Sequence, residues 1–275
     1  MRDDIQIRNL TSQADLAACV ELQRDTWGRN FKDVVPGSIM LVSQKVGGVA
    51  AGAFTGDGRL VGFVFGMTGV ENGAIVHWSD MLAVRPEVQN LGVGRRLKEF
   101  QRQAVARVGA STIYWTYDPL VARNAHINFN VFGVRAVEYK RDMYGGDTGS
   151  DLHRDIGTDR LIVAWPVSDD DLSRRKRETS AAREAPVYVG ASVIGDAERG
   201  SHVENGTVGR SEHLRLAVPD DIAAIQENDP GRATEWRAST RAAFESAFRK
   251  GYHVAGFNLA TDQHRGFYLL ARTQT

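Results

Sequence analysis

Trp78-Ser79-Asp80-Met81-Leu82-Ala83-Val84-Arg85-Pro86-Glu87-Val88-Gln89-Asn90-Leu91-Gly92-Val93-Gly94-Arg95-Arg96-Leu97 is the stretch of this sequence in which a strand, a turn and a helix can each be told from the residues alone. Its apolar run, Met81 to Val84, is stopped by Pro86, which fixes its own φ and drives Arg85 towards an extended conformation. The run reads as a strand end. Gln89, Gly92 and Gly94 then form Q-x-x-G-x-G. Leu97, Phe100, Ala104 and Val108 follow at three- and four-residue spacings, which predicts one apolar helical face and a helix starting near Gly92.

A strand, a glycine-bearing turn and a helix N-terminus leave several backbone N–H groups without helical acceptors, and the macrodipole adds positive charge at the same place. The glycines let a diphosphate approach the backbone without meeting a Cβ, and Arg95 and Arg96 offer cations at the rim. Other nucleotide cradles do not fit. The dinucleotide fingerprint needs G-x-G-x-x-G with an acid about twenty positions on, and residues 110–116 hold none. A Walker loop needs Gly-Lys-Ser/Thr after its glycines, which is also missing.

With 275 residues and 42% hydrophobic content the chain can bury a sizeable core, as one large domain or two small ones. Lys plus Arg and Asp plus Glu both total 34, so net charge gives no reason to expect nucleic acid or an anionic membrane as partner. Cys19 is the sole cysteine, which excludes an intrachain disulfide and a four-thiolate metal site. Among Leu16, Ala17 and Val20 it reads as a buried small hydrophobe. The N-terminus lacks a long apolar run, so neither a signal peptide nor a membrane span is expected, and the expected location is cytoplasmic.

Taken in order, Ile5 and Ile7 alternate as in a first strand, and Thr11 or Ser12 caps a helix carrying Leu16, Val20, Leu22 and Gln23. Between Asp25 and Gly37 a short second helix and loop are expected, with Trp27 and Phe31 either lining a substrate opening or packing under the loop. Ile39–Val42, Val49–Phe54 and Leu60–Met67 read as strands, the last two joined across Gly56-Asp57-Gly58. Ala74 to Trp78 leads into the central strand. Ser111 to Tyr117 reads as the fifth strand, and Leu120 to Phe132 as a helix stopped by Gly133. Val134–Tyr139, Asp142–Gly146 and Arg160–Val167 complete the sheet.

Residues 168–209 change character, with Asp169-Asp170-Asp171 followed by Arg174-Arg175-Lys176-Arg177. They are expected to form a polar linker, in which Ala185 to Ile194 can add a strand. Residues 210–275 then read as a β-α-α-β-β module: a strand at His213–Val218, helices from Ile222 and from Ala233 to Lys250, and strands at Tyr252–Leu259 and Gly266–Leu270. The expected domains are therefore 1–167, the linker 168–209, and 210–275 packing on or extending the first.

The strand followed by Q-x-x-G-x-G resembles the pyrophosphate-binding motif of the GCN5-related N-acetyltransferase (GNAT) superfamily. Trp115-Thr116-Tyr117-Asp118-Pro119-Leu120, Arg123-Asn124-Ala125, Tyr144-Gly145, Thr158-Asp159-Arg160, Glu21-Leu22-Gln23 with Trp27, and Trp236-Arg237 through Phe244 are similar to one subfamily of acyltransferases. That similarity covers nearly the whole chain. The resemblance implies an α/β fold with a mixed central sheet whose fourth and fifth strands splay, a thioester lying in the gap. It implies an acyl-CoA-dependent N-acyltransferase that moves an acetyl or succinyl group from coenzyme A to a small amine such as an amino acid. No metal is implied, and a homodimer is compatible with it.

Carried over by position, Leu82 and Val84 would pair with the pantetheine, Leu82 N–H would serve as oxyanion donor, and Gln89, Asn90, Gly92, Val93, Gly94 and Arg95 would hold the pyrophosphate. Asn124 and Asn128, four apart, suit the pantetheine amides; for Asn124 a plain helix cap is the other reading. Many members of the superfamily protonate the leaving thiolate with a tyrosine in N-x-x-A-x-x-x-Y-x-x-x-G, but counting back from Gly133 puts Phe129 in that slot, with Ala125 and Ala122 before it. Phenylalanine cannot donate a proton. Tyr144, Tyr117 or solvent would replace it. Relatives carry Ser-His-Met where this chain has Ser79-Asp80-Met81, so the candidate bases are Asp80, His77 and Glu138. Arg123, Arg141 or Arg160 would pair with a dicarboxylic donor. The missing tyrosine also allows a coenzyme A sensor without turnover, or a scaffold whose turn holds nothing.

Overall fold

The structure, a computed structural model, describes residues 5–146, 148–150, 156–199 and 208–273. The chain forms two compact units: residues 1–115, 147–153 and 166–168, and residues 116–146, 154–165 and 169–275.

The first unit contains β1 (Gln6–Asn9), α1 (Gln13–Trp27), α2 (Gly37–Lys45), β2 (Val49–Phe54), β3 (Leu60–Glu71), β4 (Ala74–Val84), α3 (Val93–Ala106) and the start of β5 (Thr112–Tyr117). β1 to β4 pair antiparallel in sequence order, and β5 joins β4 in parallel, so the sheet is mixed as expected. Ser12 is the helix cap: its hydroxyl accepts from Asp15 N–H, and the Asp15 carboxylate accepts from Ser12 N–H while holding Arg8 at 2.7 Å. Leu16, Cys19 and Leu22 of α1 pack with Met40 of α2 and with Phe54, Phe63, Phe65 and Met81 of the sheet. Cys19 is fully buried there, and burial pushes its thiol up to about 12, as suits a packing residue.

Two expected elements differ. Ile39–Val42 is not a strand but part of α2, which starts directly after Pro36 and leaves Asp25–Gly37 without the short helix expected there. Met40 and Ser43 are its buried positions, a three-residue step that a continuous run of four apolar residues disguised. In α3 the face turned inward is Val93, Leu97, Lys98, Gln101 and Val105, whereas Val108 is exposed. Two polar residues on the inner face hid its true phase.

In the second unit, α4 (Ala122–His126) passes into a π-helical turn, Ile127–Phe132, which ends at Gly133 with φ of 70°. β6 (Arg135–Lys140) pairs antiparallel with β7 (Arg160–Pro166), while Asp142–Gly146, expected as strand, is turn. A second sheet has the order β10-β11-β9-β8, from β8 (Val193–Ile194), β9 (His213–Pro219), β10 (Tyr252–Ala260) and β11 (Arg265–Arg272). With α6 (Ile222–Asn228) and α7 (Pro230–Arg249) between β9 and β10, the C-terminal β-α-α-β-β order is present. Tyr268 anchors this unit's core, with Phe257, Phe244 and Phe129 at centroid distances of 4.9, 5.0 and 6.0 Å.

Compactness does not divide the chain at residue 167. Arg237 of α7 donates to Asp118 at 2.6 Å, and Arg241 to Asp159 at 2.7 Å, tying the C-terminal module to residues around β7. The polar stretch after 168 is also not all linker. Asp169–Glu184 forms α5, its three aspartates at the positive N-terminal end and Arg174 and Arg175 paired with Asp171 and Glu178.

Candidate active site

The Q-x-x-G-x-G turn has the form that its residues predict. Gly92 takes the left-handed conformation, φ 80°, as the residue before α3, and makes no side-chain cap bond. The first helical bond of α3 runs from Arg96 N–H to Gly92 O at 3.0 Å, so Val93, Gly94 and Arg95 present N–H groups that have no acceptor within the helix. Gln89 folds back and donates to Val84 O at 3.0 Å. Arg95 is exposed, while Arg96 turns away from the rim to donate to Ile5 O at 2.6 Å.

From that turn the edge of β4 runs back towards a break in the sheet. Arg85 N–H donates to Val61 O on the β3 side at 2.8 Å, so by strand alternation Ala83 faces β3 and the N–H and C=O of Leu82 and Val84 face the opposite edge. On that edge β4 pairs with β5 only over Val76↔Thr112, His77↔Ile113 and Trp78↔Tyr114, although β4 continues to Val84. The parting of the fourth and fifth strands is therefore present.

A β-bulge sits at the parting. Gly66 of β3 pairs with Ser79 and Phe65 with Met81, so Asp80 is the extra residue. The bulge reverses the facing of β4. Before it, His77 and Ser79 face α3; after it, Leu82 and Val84 do, with the position of a Gly94 Cβ 3.6 and 3.7 Å from their side chains. Gly66 is required opposite, because a Cβ there would come within 2.3 Å of His77 Nε2.

Among the candidate bases, His77 is fully buried and both ring nitrogens are engaged, Nδ1 with Thr68 Oγ1 and Nε2 with Gln101 Nε2, each at 3.0 Å. Gln101 donates to Nε2, and Thr68 passes its own proton to Gly47 O, so Nδ1 carries the ring hydrogen. Burial, helped by the charge of Lys98, lowers His77 to about 4 and keeps it neutral. It has no lone pair left for an amine. Asp80 instead points into the open. Burial of its carboxyl and the nearby charge of Asp33 raise its pKa, and because the residue is exposed, water offsets part of that effect.

Lys98 joins the site although the sequence reading does not single it out. It is 6% exposed, donates to Ser79 Oγ at 2.7 Å, and lies over the Trp115 ring at 3.8 Å. Its place next to Leu97, one turn after Gly94, was the signal.

The remaining candidates lie in the second unit. Tyr144 is 39% exposed, with its hydroxyl 3.0 Å from Thr116 Oγ1, and is chemically able to donate. Tyr117 is buried, hydrogen-bonded to Tyr268 at 3.1 Å, and its pKa is raised by burial, which marks a core hydroxyl. Phe129 is fully buried against Tyr268. Glu138 is an exposed strand residue 3.6 Å from Lys140. Asn124 is exposed and Asn128 buried, so the expected shared face breaks where the helix widens. Arg160 is buried beside Asp118 at 4.0 Å, and Arg141 pairs with Asp142; Arg123 is exposed. Among the described residues there is no cluster suited to a metal, and no helix long and apolar enough to cross a membrane.

The sequence matches no protein-family model and no curated protein. The structure is similar to many solved ones. They include the ribosomal-protein-S18-alanine N-acetyltransferase from Escherichia coli, at 19% identity and a TM-score of 0.45 over 60% of this chain and 94% of that one. An aminoglycoside 6'-N-acetyltransferase complexed with coenzyme A gives 15%, 0.43, 60% and 97%. An acetyltransferase of the GNAT family from Staphylococcus aureus Mu50 gives 12%, 0.42, 60% and 99%. No residue role follows from likeness of this degree.

Proposed function

We propose that the first unit is the catalytic part of an acyl-CoA-dependent N-acyltransferase acting on a small amine. The observation that carries this is the edge of β4 that β5 leaves: Leu82 and Val84 turn their backbone groups away from β3, Val84 O being met by Gln89, between a glycine turn at a helix N-terminus and a bulge that carries a carboxylate. The turn supplies the N–H groups of Val93, Gly94 and Arg95 to a diphosphate, with Gln89, Asn90 and the Arg95 side chain around it. Val84 and Leu82 suit the amides of a pantetheine arm laid along the strand. Leu82 N–H then faces the carbonyl of the thioester and stabilises the oxyanion formed on attack.

Asp80 takes a proton from the acceptor ammonium, directly or through one water, so that the neutral amine attacks the carbonyl carbon. An acetyl or succinyl donor is accommodated by the same backbone contacts. In the second unit, Asn124 remains a candidate pantetheine contact and Tyr144 a candidate acid.

The test is calorimetric titration with coenzyme A, followed by thiol release from acetyl-CoA and succinyl-CoA across a panel of amines. Binding with amine-dependent thiol release is expected. Failure of coenzyme A to bind would end the reading. A second reading, a coenzyme A sensor, is favoured by the buried phenylalanine at position 129. Binding with no thiol release from any acceptor would select it.

A further inference from the structure

We propose that Lys98 is the group that meets the sulfur of the thioester and protonates the departing thiolate, a role for which Phe129 has no chemistry. This rests on the acyl-CoA reading above. The geometry is that of a fork. Trp78↔Tyr114 is the last rung joining β4 to β5, and the next residue on each strand is Ser79 and Trp115. Lys98 Nζ touches both, at 2.7 Å from Ser79 Oγ and 3.8 Å above the Trp115 ring, so the amine sits in the crotch where the strands part.

The path along the strand agrees. From Val84, beside the phosphate turn, β4 runs back past Leu82 and the bulged Asp80 to the fork at Ser79. The sulfur of a carrier anchored at the turn is one bond from the carbonyl held at the Leu82 amide, so it lies at the mouth of that fork.

A structural lysine at this depth would be expected to have an anionic partner. Among the described residues Lys98 has a hydroxyl and an aromatic face as its partners, with the neutral His77 nearby. Burial alone lowers its pKa well below the ordinary value, so it gives up a proton readily. A thiolate formed against it supplies the counter-charge that no described residue provides.

In the step itself the tetrahedral intermediate collapses, the C–S bond breaks, and its electron pair goes to sulfur, which takes a proton from Lys98 Nζ. Coenzyme A leaves as the thiol. The proton lost by the attacking amine goes to Asp80 and then to solvent, and Lys98 is reprotonated from solvent after release.

The experiment needs no acceptor. Coenzyme A is bound to wild type, Lys98→Met and Lys98→Arg, and the ultraviolet absorbance of its thiolate is followed against pH. Calorimetry with coenzyme A and with its desulfo analogue reports occupancy. The expected result is binding to all three proteins, with the bound thiol titrating about one to three pH units below the free one in wild type. That shift is lost in Lys98→Met and partly kept in Lys98→Arg. Coenzyme A that binds wild type but titrates alike in wild type and Lys98→Met would overturn the role of Lys98 and leave the acyl-CoA reading standing. No binding to wild type would overturn both. If Lys98→Met does not fold, Lys98→Gln, which keeps a hydrogen bond to Ser79, is read by the same two outcomes.

Discussion

Gly94→Ala separates binding from folding, because the two effects have opposite signs. Gly94 lies in the first turn of α3 with no positive φ, and an added Cβ would meet Leu82 Cδ2 at 3.6 Å and Val84 Cγ2 at 3.7 Å, ordinary contacts. Replacing glycine by alanine in a helix is worth up to about 1 kcal/mol, less near its end. For a chain of this size that raises Tm by about 1–4 °C. On the proposed reading a diphosphate comes up to the N–H groups of this same turn, and the added methyl crowds that approach. Losing one charge-assisted hydrogen bond costs about 1.5–3 kcal/mol, and this weakens coenzyme A binding roughly 10- to 150-fold. Calorimetric titration with coenzyme A and a thermal melt of the same preparation give both numbers. A raised Tm with an unchanged Kd would refute the reasoning, since it would mean that the bound molecule never comes near the turn.

Asp80→Asn should lower kcat by about 10²- to 10⁴-fold with little change in coenzyme A affinity. In wild type the acid limb of the rate should fall at a pH above the ordinary carboxylate value, because burial and Asp33 raise Asp80. Phe129→Tyr should not raise the rate: the side chain is fully buried against Tyr268, so the new hydroxyl costs about 1–3 kcal/mol of stability, seen as a lower denaturation midpoint. Asp159 is fully buried; burial acts to raise its pKa, but Arg241, Tyr139 and the Asp142 amide outweigh it and hold it at about 2. A depressed pKa gives stability that is present above the unfolded value of 3.8 and lost as pH falls towards 2. Arg241→Met should therefore remove about 2 kcal/mol at neutral pH and flatten the melt between pH 4 and 2.

The residues that carried the fold in the sequence were those whose meaning is local. Pro86, the two glycines and Ser12 each act within a turn of their own position, and each does in the structure what its chemistry predicts. Misreadings came where a neighbour far along the chain decides. Ile39–Val42 has strand residues in a helix because only Met40 and Ser43 meet the core. His77 read as a possible base because nothing in Ile75-Val76-His77-Trp78 says that Thr68 and Gln101 close on its ring. Lys98 is hidden for the same reason: a lysine on a helix is usually solvated, and only the pairing of β4 with β5 reveals a fork behind it. The similarity at Thr158-Asp159-Arg160 and Trp236-Arg237 was legible as a pattern without its cause, the ion pairs of Asp118 with Arg237 and of Asp159 with Arg241.

On the proposed reading, the bulge at Asp80 is what brings the proton acceptor beside the point where β4 meets Lys98. In a regular strand, alternate side chains share a face, so Ser79, Met81 and Ala83 would all look the same way. The extra residue breaks that rule. Ser79 faces α3 and meets Lys98, whereas Met81 and Ala83 pack in the core with α1 and α2. Asp80, between them, is turned towards Asp33 of the α1–α2 loop. On the proposed reading, Lys98 of α3 and the Asp80 carboxylate thus flank one edge of β4, as proton donor and proton acceptor, with the Leu82 amide beyond them. Removing Asp80 would make Ser79 and Met81 neighbours in a regular strand, so they would keep opposite faces, Ser79 towards α3 and Met81 towards the core, and the deletion should leave the fold in place. What the inserted residue adds at this edge is therefore its own carboxylate, and a folded deletion variant that kept full turnover would refute its role as proton acceptor.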